Sequence, residues 1–423
     1  MKLFVSLNGV AVGELFKDKN GGLHFSYVDA WIENDNARPI SLSLPLTSEE
    51  YSGDLVYNFF DNLLPDNDRI RKKIQSRFQV GTPHAFDLLA AIGNDCVGAI
   101  QLSSDKPENV KKIQYDRLTE IEVINILTSY KESPLGMINP EDDFRISLAG
   151  AQEKTALLNI DNQWLKPVGI TPTTHIIKLP IGEIPNANID LTESCENEFI
   201  CLELARAFGF DVANSTVESF GEQRALVVER FDRRFSKDKS WIMRLPQEDF
   251  CQALGYSSAQ KYQADGGPDI KSCMNLLLSS SIKSDRNTFF KTQIFFWLLA
   301  AIDGHAKNFS VFLEAGNRFR MTPLYDVLSA YPIISNKGLQ RQKIKMAMSV
   351  KGKNVHWHWD TIQPRHFLST AKHVKYDIKT AKADLEFMLD NIEHAISKVE
   401  MLIPDDFPNY IAESIFAGLR QKA

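Results

Sequence analysis

Alternation of hydrophobic and polar residues dominates the first hundred positions of the chain. Residues 2–7 and 10–15 alternate on either side of an Asn-Gly pair, which favours a tight hairpin turn. Residues 23–27 repeat the alternation, and a helical pattern follows over 85–92. The pattern predicts a small α+β module at this end of the chain.

Helical patterns dominate beyond residue 235. Residues 289–302 are apolar on nearly every side, as is typical of a buried core helix. We predict short helices over 247–254 and 270–280, and a long amphipathic helix over 385–402. The segment 333–356 is basic and lacks a clear period, so we expect it to be irregular.

The bulk composition excludes some classes of protein. Of 423 residues, 43% are hydrophobic and 24% are charged, which is ordinary for a globular chain. The net charge of -6 argues against a protein that is basic enough overall to bind nucleic acid alone. Five cysteines without a Cys-x-x-Cys pair indicate free thiols in a reducing compartment. No signal peptide or membrane-spanning stretch is recognisable, so we expect a cytoplasmic protein without membrane contact.

The clearest chemical pattern lies where the apolar run 294–302 ends. Asp303 and Asn308 are five residues apart, and Asp326 follows eighteen residues later. Phosphoryl transfer uses one carboxylate to orient the attacking hydroxyl, and an amide and a second carboxylate to hold Mg²⁺. The catalytic loop of protein kinases has the same five-residue spacing. The alternative is a helix cap and a turn, but three such residues at this spacing favour catalysis.

Two further features suit a nucleotide. Residues 144–158 indicate a strand, a turn of small residues and a strand, and small residues let backbone N–H groups approach phosphate oxygens. Taken alone, this stretch favours an ordinary hairpin, because it lacks the Walker sequence and contains a single glycine, Gly150. Lys178 ends the apolar strand 174–180, as the phosphate-binding lysine of kinases does. An ordinary lysine at a sheet edge is the alternative.

A buried-looking strand over 225–228 runs into charged residues. Glu229 and Phe231 stand where a kinase hinge supplies backbone hydrogen bonds to adenine, and Asp232 is placed to reach the ribose. A strand that ends in a solvated basic turn fits the sequence as well.

Seven motifs together resemble the HipA family, the kinase toxins of bacterial HipBA toxin–antitoxin modules. They occur in the family's order and span nearly the whole chain: Ser-Leu-Ala-Gly-Ala-Gln-Glu-Lys-Thr-Ala, Ile-Ile-Lys-Leu-Pro, Val-Glu-Arg-Phe-Asp-Arg-Arg, Arg-Leu-Pro-Gln-Glu-Asp-Phe, Ala-Asp-Gly-Gly-Pro, Asp-Gly-His-Ala-Lys-Asn-Phe-Ser and Tyr-Asp-Val-Leu-Ser-Ala. The resemblance also includes Arg-Pro-Ile-Ser-Leu-Ser-Leu-Pro-Leu and Phe-Phe-Asp-Asn-Leu-Leu-Pro-Asp near the start.

The resemblance implies roles for particular residues. Asp303 would be the catalytic base, Asn308 and Asp326 the Mg²⁺ ligands, and Lys178 the nucleotide-binding lysine. His305 and Lys307 lie in the catalytic loop, and Lys307 is the candidate for meeting γ-phosphate charge. The implied phosphate loop comprises Leu148, Ala149, Gly150, Ala151, Gln152, Glu153 and Lys154. The implied adenine hinge comprises Glu229 and Phe231. Ser147 would be a site of autophosphorylation.

The resemblance also implies a fold, a reaction and partners. The expected fold is α+β, bilobed and protein-kinase-like. Changes of pattern along the chain divide it into 1–138 as an N-terminal subdomain, 139–234 as a nucleotide-binding core, and 235–423 as a helical lobe with the catalytic loop and metal site. The implied activity is a serine/threonine kinase that uses ATP and Mg²⁺, with glutamyl-tRNA synthetase as substrate and growth arrest or persistence as outcome. A HipB-like antitoxin dimer and, through it, operator DNA would be the partners.

Two other interpretations fit parts of the sequence. The chain could be a nucleotide-binding co-repressor subunit whose catalysis is incidental. A metal-dependent phosphohydrolase would need more closely clustered histidines and aspartates than the nine scattered histidines provide.

Overall fold

The computed structural model describes residues 1–107, 110–129, 147–150, 152, 154–185, 188–334 and 338–422. Its strands are β1 Lys2–Leu7, β2 Val10–Lys17, β3 Leu23–Tyr27, β4 Tyr51–Ser52, β5 Ile100–Ser103, β6 Tyr115–Arg117, β7 Lys154–Ile160, β8 Gln163–Pro167, β9 His175–Lys178, β10 Gly182–Ile184, β11 Ile189–Leu191, β12 Ser215–Phe220, β13 Gln223–Glu229, β14 Arg233–Phe235, β15 Ile242–Arg244, β16 Gln247–Asp249, β17 Ser310–Glu314, β18 Arg318–Met321, β19 Lys345–Lys351 and β20 Val355–His358.

The α-helices are α1 Asp29–Ile32, α2 Asp54–Asp61, α3 Asp68–Phe78, α4 Ala85–Ile92, α5 Glu120–Thr128, α6 Ser194–Ala207, α7 Phe250–Leu254, α8 Ile270–Leu276, α9 Asp285–Leu298, α10 Pro364–His373, α11 Ile378–Asp390, α12 Ile392–Glu400 and α13 Asn409–Arg420. Across the ranges given above, no helix is both long enough and apolar enough to cross a lipid bilayer. Mixed helix and sheet content confirms the α+β class.

The described residues group into two compact units, neither of which is continuous in sequence. The first contains 1–179, 218–259 and 310–319, and the second contains 180–217, 260–309 and 320–423. These units differ from the three contiguous regions expected from the sequence, because the chain returns to the first unit twice after leaving it. The expected boundaries at 138 and 234 relied on changes of pattern along the chain, which carry no information about such returns.

Two antiparallel arrangements dominate the first unit. One sheet has the order β4-β3-β2-β1-β5, and the other has the order β12-β13-β9-β7-β8-β6. The Asn-Gly hairpin forms as predicted, with Leu7 opposite Val10 and a positive φ at both turn residues. One core cluster contains aromatic residues from β3 and α2 together with aliphatic residues from both sheets, so it ties these elements together.

Three predicted elements differ from the structure. Residues 247–249 form a strand instead of the start of a helix, because they pair with β17, far along the chain. The helix begins only at Phe250, where Asp249 and Gln252 form a capping box. The segment expected to be irregular contains β19, and the long helix expected over 385–402 is two helices that meet at Asn391.

Glu248 of β16 is a fully buried acid in the first unit. Its Oε1 accepts the Leu42 N–H at 2.7 Å, and its Oε2 accepts the Ser41 hydroxyl at 2.5 Å. Burial raises the pKa of Glu248 to about 8, although these hydrogen bonds favour the carboxylate. The side chain therefore retains a proton at neutral pH and attaches the segment around Ser41 to the sheet.

The raised pKa predicts how stability depends on pH. A carboxyl with a folded-state pKa above its ordinary value of 4.5 stabilises the fold at low pH, and that contribution disappears as pH rises through about 8. We expect the wild type to lose about 2–3 kcal/mol of unfolding free energy between pH 6 and pH 9 from this group alone. Urea denaturation of Glu248→Gln, which mimics the protonated acid, should lack this loss. The exposed Glu413→Gln is the matched control, and a pH dependence in Glu248→Gln equal to that of the wild type would contradict the assignment.

Candidate functional site

The loop that begins at Asp303 follows α9 and is fixed by aromatic packing in the second unit. A methyl group on Gly304 would lie 2.3 Å from the ring of Phe296, so any larger residue here would displace the loop. At the other end of the loop, the ring of Phe309 packs 4.8 Å from that of Phe289. Two apolar anchors therefore hold the loop between Asp303 and Phe309.

Asp303 and Asn308 lie together within this loop. The Asn308 side-chain amide donates to the Asp303 backbone oxygen at 2.8 Å, and the His305 N–H donates to the same oxygen at 2.7 Å. The Asp303 side chain is 60% exposed, and its Oδ1 accepts the Tyr262 hydroxyl at 2.5 Å. The loop thus presents one solvent-facing carboxylate above a closed network of hydrogen bonds.

His305 and Lys307 are both buried. The Nε2 of His305 is 4.0 Å from the Oδ2 of Asp303, and its ring lies edge-on to Tyr262 with the centroids 4.9 Å apart. The Tyr325 hydroxyl donates to the Lys307 backbone oxygen at 2.9 Å. This bond connects the loop between Asp303 and Phe309 to the residue that precedes Asp326.

Asp326 has a left-handed backbone, with a φ of 58°. Asp is among the few residues that tolerate this region, and such conformations are concentrated at functional sites. Hydrogen bonds hold the chain on both sides: the Leu324 N–H donates to Asp211, and the Ser329 hydroxyl donates to Leu299 at 2.6 Å. The surrounding structure therefore holds the backbone on both sides of Asp326.

Asn308 and Asp326 carry the oxygen-bearing side-chain types that suit a magnesium ion. Mg²⁺ prefers oxygen ligands, and proteins typically supply one or two while phosphates and water supply the rest. The amide nitrogen of Asn308 is engaged by Asp303, which leaves its Oδ1 as the atom suited to a cation. Asp326, in the same unit, would add a carboxylate.

The expected phosphate loop lies in the first unit and is described at 148–150, 152 and 154, whereas Ala151 and Glu153 lie outside the described residues. Gly150 has a φ of 107°, which favours glycine, and its oxygen accepts the Asp66 N–H at 3.0 Å. The Lys154 amine donates to the Ala149 oxygen at 2.8 Å. The Gln152 amide donates to Leu179 at 3.1 Å. The loop is thus held by its own lysine and by the segment at Asp66.

Ser147 precedes this loop and Leu148 begins it, and both residues are buried. The Ser147 hydroxyl donates to the Leu63 oxygen at 2.7 Å, and its N–H donates to the Asp95 oxygen at 3.0 Å. Leu148 belongs to the core of the unit. A group larger than a hydroxyl at Ser147 would have to leave this position.

Lys178 and Glu229 lie on adjacent strands, and Phe231 follows just after the second of these strands. Lys178 is buried at the end of β9, opposite Lys154 of β7 and Leu226 of β13. Glu229 is exposed at the end of β13. Phe231 is partly buried and lies edge-on to Phe312, with the ring centroids 5.8 Å apart. The sheet therefore brings the lysine and the hinge strand side by side.

Asp232 does not have the solvent-facing position that a ribose contact requires. Its carboxylate is buried and accepts from Nε and one terminal nitrogen of Arg230, at 3.0 and 2.9 Å, and from the Gly98 N–H at 2.7 Å. Burial opposes ionisation, but Arg230 and Arg233 outweigh it and lower the pKa of Asp232. We therefore correct its assignment to a structural ion pair, because both carboxylate oxygens are already engaged.

Asp95 completes this buried ionic network, and the sequence analysis missed it. It contacts three guanidinium groups, those of Arg230, Arg233 and Arg244, at 3.3, 2.8 and 3.2 Å. Burial opposes ionisation here as well, yet these cations hold the pKa of Asp95 well below its ordinary range. No local signal marks Asp95, because its arginine partners lie at least 135 residues away.

Tyr262 was also missed, although its segment contains the Ala-Asp-Gly-Gly-Pro motif. The Gly-Gly-Pro turn signal could have drawn attention to this region. The contact of Tyr262 with Asp303 spans 41 residues, which no local pattern indicates.

Comparison with known proteins gives the family. The model of the HipA-like C-terminal domain matches residues 146–399, and that of the HipA N-terminal domain matches residues 3–103. The chain belongs to the HipA family. A HipA-family relative from Sinorhizobium fredii (strain NBRC 101917 / NGR234), named "Putative kinase Y4mE", is 32% identical over 96% of this chain and 95% of its own length.

Two comparisons concern Shewanella oneidensis. The serine/threonine-protein kinase toxin HipA of strain MR-1 is 30% identical over 78% of this chain and 75% of its own length. A solved structure of the HipA, HipB and operator DNA complex from MR-1 contains a chain that matches with a TM-score of 0.81 and 24% identity. That match covers 99% of this chain and 97% of the other, so the whole fold is that of HipA.

Proposed function

We propose that this HipA-family protein is a serine/threonine protein kinase that transfers the γ-phosphate of ATP to a protein hydroxyl. The observation that carries the proposal is the Asp303–Asn308 pair, joined by a 2.8 Å hydrogen bond and followed by Asp326 in the same unit. This set matches what phosphoryl transfer requires, and the relatives named as kinases support it.

Each group has a role in this proposal. Asp303, with its exposed carboxylate, orients the substrate hydroxyl and accepts its proton. Asn308 and Asp326 hold Mg²⁺, which when bound offsets the negative charge of the phosphates. Lys178 and the loop around Gly150 bind the phosphates, and backbone groups at 229–231 bind the adenine.

His305 and Lys307 have less direct roles in the proposal. Both are buried, which suits side chains that support the loop and contact only neighbouring groups. Lys307 remains the candidate for meeting charge on the γ-phosphate. Lys154 already donates to Ala149, so we assign it to shaping the phosphate loop.

The proposed biological setting is a toxin–antitoxin module in the cytoplasm. Glutamyl-tRNA synthetase is the proposed substrate, with growth arrest or persistence as the consequence. A HipB-like antitoxin dimer is the proposed partner, and through it the chain would act as a co-repressor on operator DNA. The similarity to a chain solved in a HipA, HipB and operator DNA complex supports this setting.

The alternative proposal is a nucleotide-binding co-repressor with incidental catalysis. A transfer assay with γ-labelled Mg-ATP and glutamyl-tRNA synthetase separates the two, with one incubation lacking an acceptor to score self-phosphorylation. We expect label transfer by the wild type and none by Asp326→Ala. Absence of transfer by a folded wild type that still represses with its antitoxin would favour the co-repressor.

Phosphorylation of Ser147 is the proposed control on this activity. A phosphate adds about -1.5 to -2 charges, and the fully buried site beside Leu63 has no room for them. The segment would therefore leave its position, and the phosphate loop that begins one residue later would lose its shape.

We expect incubation with Mg-ATP to yield one phosphate, located at Ser147 by mass spectrometry, with weakened ATP binding. Ser147→Ala should stay unmodified and keep its ATP affinity, whereas the exposed Ser240→Ala should be modified like the wild type. A phosphate at another residue, or full ATP affinity in the modified protein, would refute this control.

A further inference from the structure

The segment 260–267 is a tight turn built around Tyr262. The Tyr262 backbone oxygen accepts the N–H groups of Asp265 and Gly267 at 3.1 and 3.0 Å. A methyl group on Gly267 would lie 1.8 Å from the Gln260 oxygen and 2.8 Å from the Tyr262 oxygen. Only glycine fits there, so the Gly-Gly pair of the motif serves to close this turn.

The turn is attached to the catalytic loop at three points. The Ala306 N–H donates to the Lys261 oxygen at 3.2 Å. The ring of His305 lies edge-on to that of Tyr262, with an interplanar angle of 84°. The Tyr262 hydroxyl donates to Oδ1 of Asp303 at 2.5 Å. The phenol is thus held by its turn, its ring contact and its hydrogen bond.

We propose that Tyr262 is the positioning residue of the catalytic carboxylate. An exposed aspartate rotates freely about its side-chain bonds, and a general base is effective only when aligned with the proton that it accepts. The phenol engages Oδ1 of Asp303, which leaves Oδ2 as the oxygen for the substrate hydroxyl. This inference rests on the proposed kinase function and adds the residue that aims its base.

A phenol hydroxyl on the catalytic carboxylate could instead occupy the place of the substrate hydroxyl. The two arrangements predict opposite results. If the phenol positions the base, Tyr262→Phe lowers kcat, because the base loses its alignment. A phenol that blocks the substrate makes Tyr262→Phe faster and lowers the KM for the protein acceptor.

The test compares steady-state kinetics of full-length Tyr262→Phe and wild type, using γ-labelled Mg-ATP and glutamyl-tRNA synthetase. We expect kcat to fall about 10- to 100-fold with the KM for ATP nearly unchanged, as for an aligned group displaced by an ångström or less. Tyr256→Phe removes the same hydroxyl outside this turn and should match the wild type. An unchanged or raised kcat in Tyr262→Phe would overturn the proposal.

A rescue variant and a spectroscopic readout complete the test. Substitution of Tyr262 by 4-aminophenylalanine keeps a donor at the same place and should restore most of kcat, which a merely structural role for the ring would not predict. With 3-fluorotyrosine at position 262, the ¹⁹F resonance should shift on Asp303→Ala, because the acceptor is removed.

Failure of this inference and failure of the kinase proposal are distinguishable. If the wild type is active and Tyr262→Phe keeps the same kcat, only the positioning role is overturned. The same holds if the ¹⁹F resonance does not shift on Asp303→Ala. An inactive wild type refutes the kinase proposal, and the positioning role falls with it even where the ¹⁹F shift confirms the contact.

Discussion

We expect Asp303→Asn to lower phosphoryl transfer by about 10²- to 10⁴-fold, the usual cost of removing a positioned general base. Asparagine has the same shape and still offers an oxygen to the Tyr262 hydroxyl, so the 2.5 Å contact can persist. What disappears is the ability to accept a proton from the substrate. The measurement is kcat with γ-labelled Mg-ATP and glutamyl-tRNA synthetase.

The fold should survive this substitution. The Asp303 side chain is 60% exposed, and the bonds from His305 and Asn308 go to its backbone oxygen, which asparagine retains. Thermal unfolding should therefore give the same midpoint for variant and wild type. The matched control is Asp390→Asn, which neutralises another aspartate, on α11, and should keep full activity. Wild-type kcat in Asp303→Asn would reject the role of Asp303 as the base.

We expect Asp95→Ala to lower the free energy of unfolding by about 3–5 kcal/mol, the range measured when one partner of a buried ion pair is removed. Three buried guanidinium groups would lose their shared carboxylate, and the Thr173 N–H and hydroxyl would lose their acceptor at 3.0 and 2.7 Å. Urea denaturation at pH 7 measures this loss. At that pH the wild-type carboxylate is ionised, because its pKa is lowered.

Solvent exposure decides how much an ion pair contributes to the free energy of unfolding. The chain allows a comparison between a buried pair and an exposed one. Asp360 pairs with Arg341 at 2.6 Å, but its side chain is 40% exposed, whereas that of Asp95 is 4% exposed. Asp360→Ala should therefore cost only about 0–1 kcal/mol, as is typical of surface pairs. Equal losses in the two variants would contradict the view that the buried network holds the first unit together.

The buried ionic network also restrains the backbone at 229–231, the segment proposed to contact adenine. Arg230 lies between Glu229 and Phe231, the residues proposed to meet adenine, and its guanidinium is buried against Asp95 and Asp232. A buried side chain held by two carboxylates restrains the backbone at Arg230, directly after the end of β13. Asp95→Ala is thus expected to weaken ATP binding in any fraction that still folds.

The sequence by itself determined the elements whose signals are local. The hairpin of β1 and β2 follows from an Asn-Gly turn between alternating residues, and α4 spans the predicted residues 85–92. The closeness of Asp303 and Asn308 is also local, since they are five residues apart in one loop. The family's motifs are local strings as well, so the amino-acid sequence is sufficient to recognise the resemblance.

Only the tertiary structure decided the contacts between distant residues. The strand identity of 247–249 depends on pairing with β17, the burial of Asp232 depends on Asp95 and its arginines, and the phenol on Asp303 comes from 41 residues away. Turns, caps and periodicity act over a few residues, so short patterns encode them. Pairing and burial depend instead on the summed packing of each unit. In the first unit the carboxylate of Asp232 binds arginine, and in the second unit the carboxylate of Asp303 faces solvent.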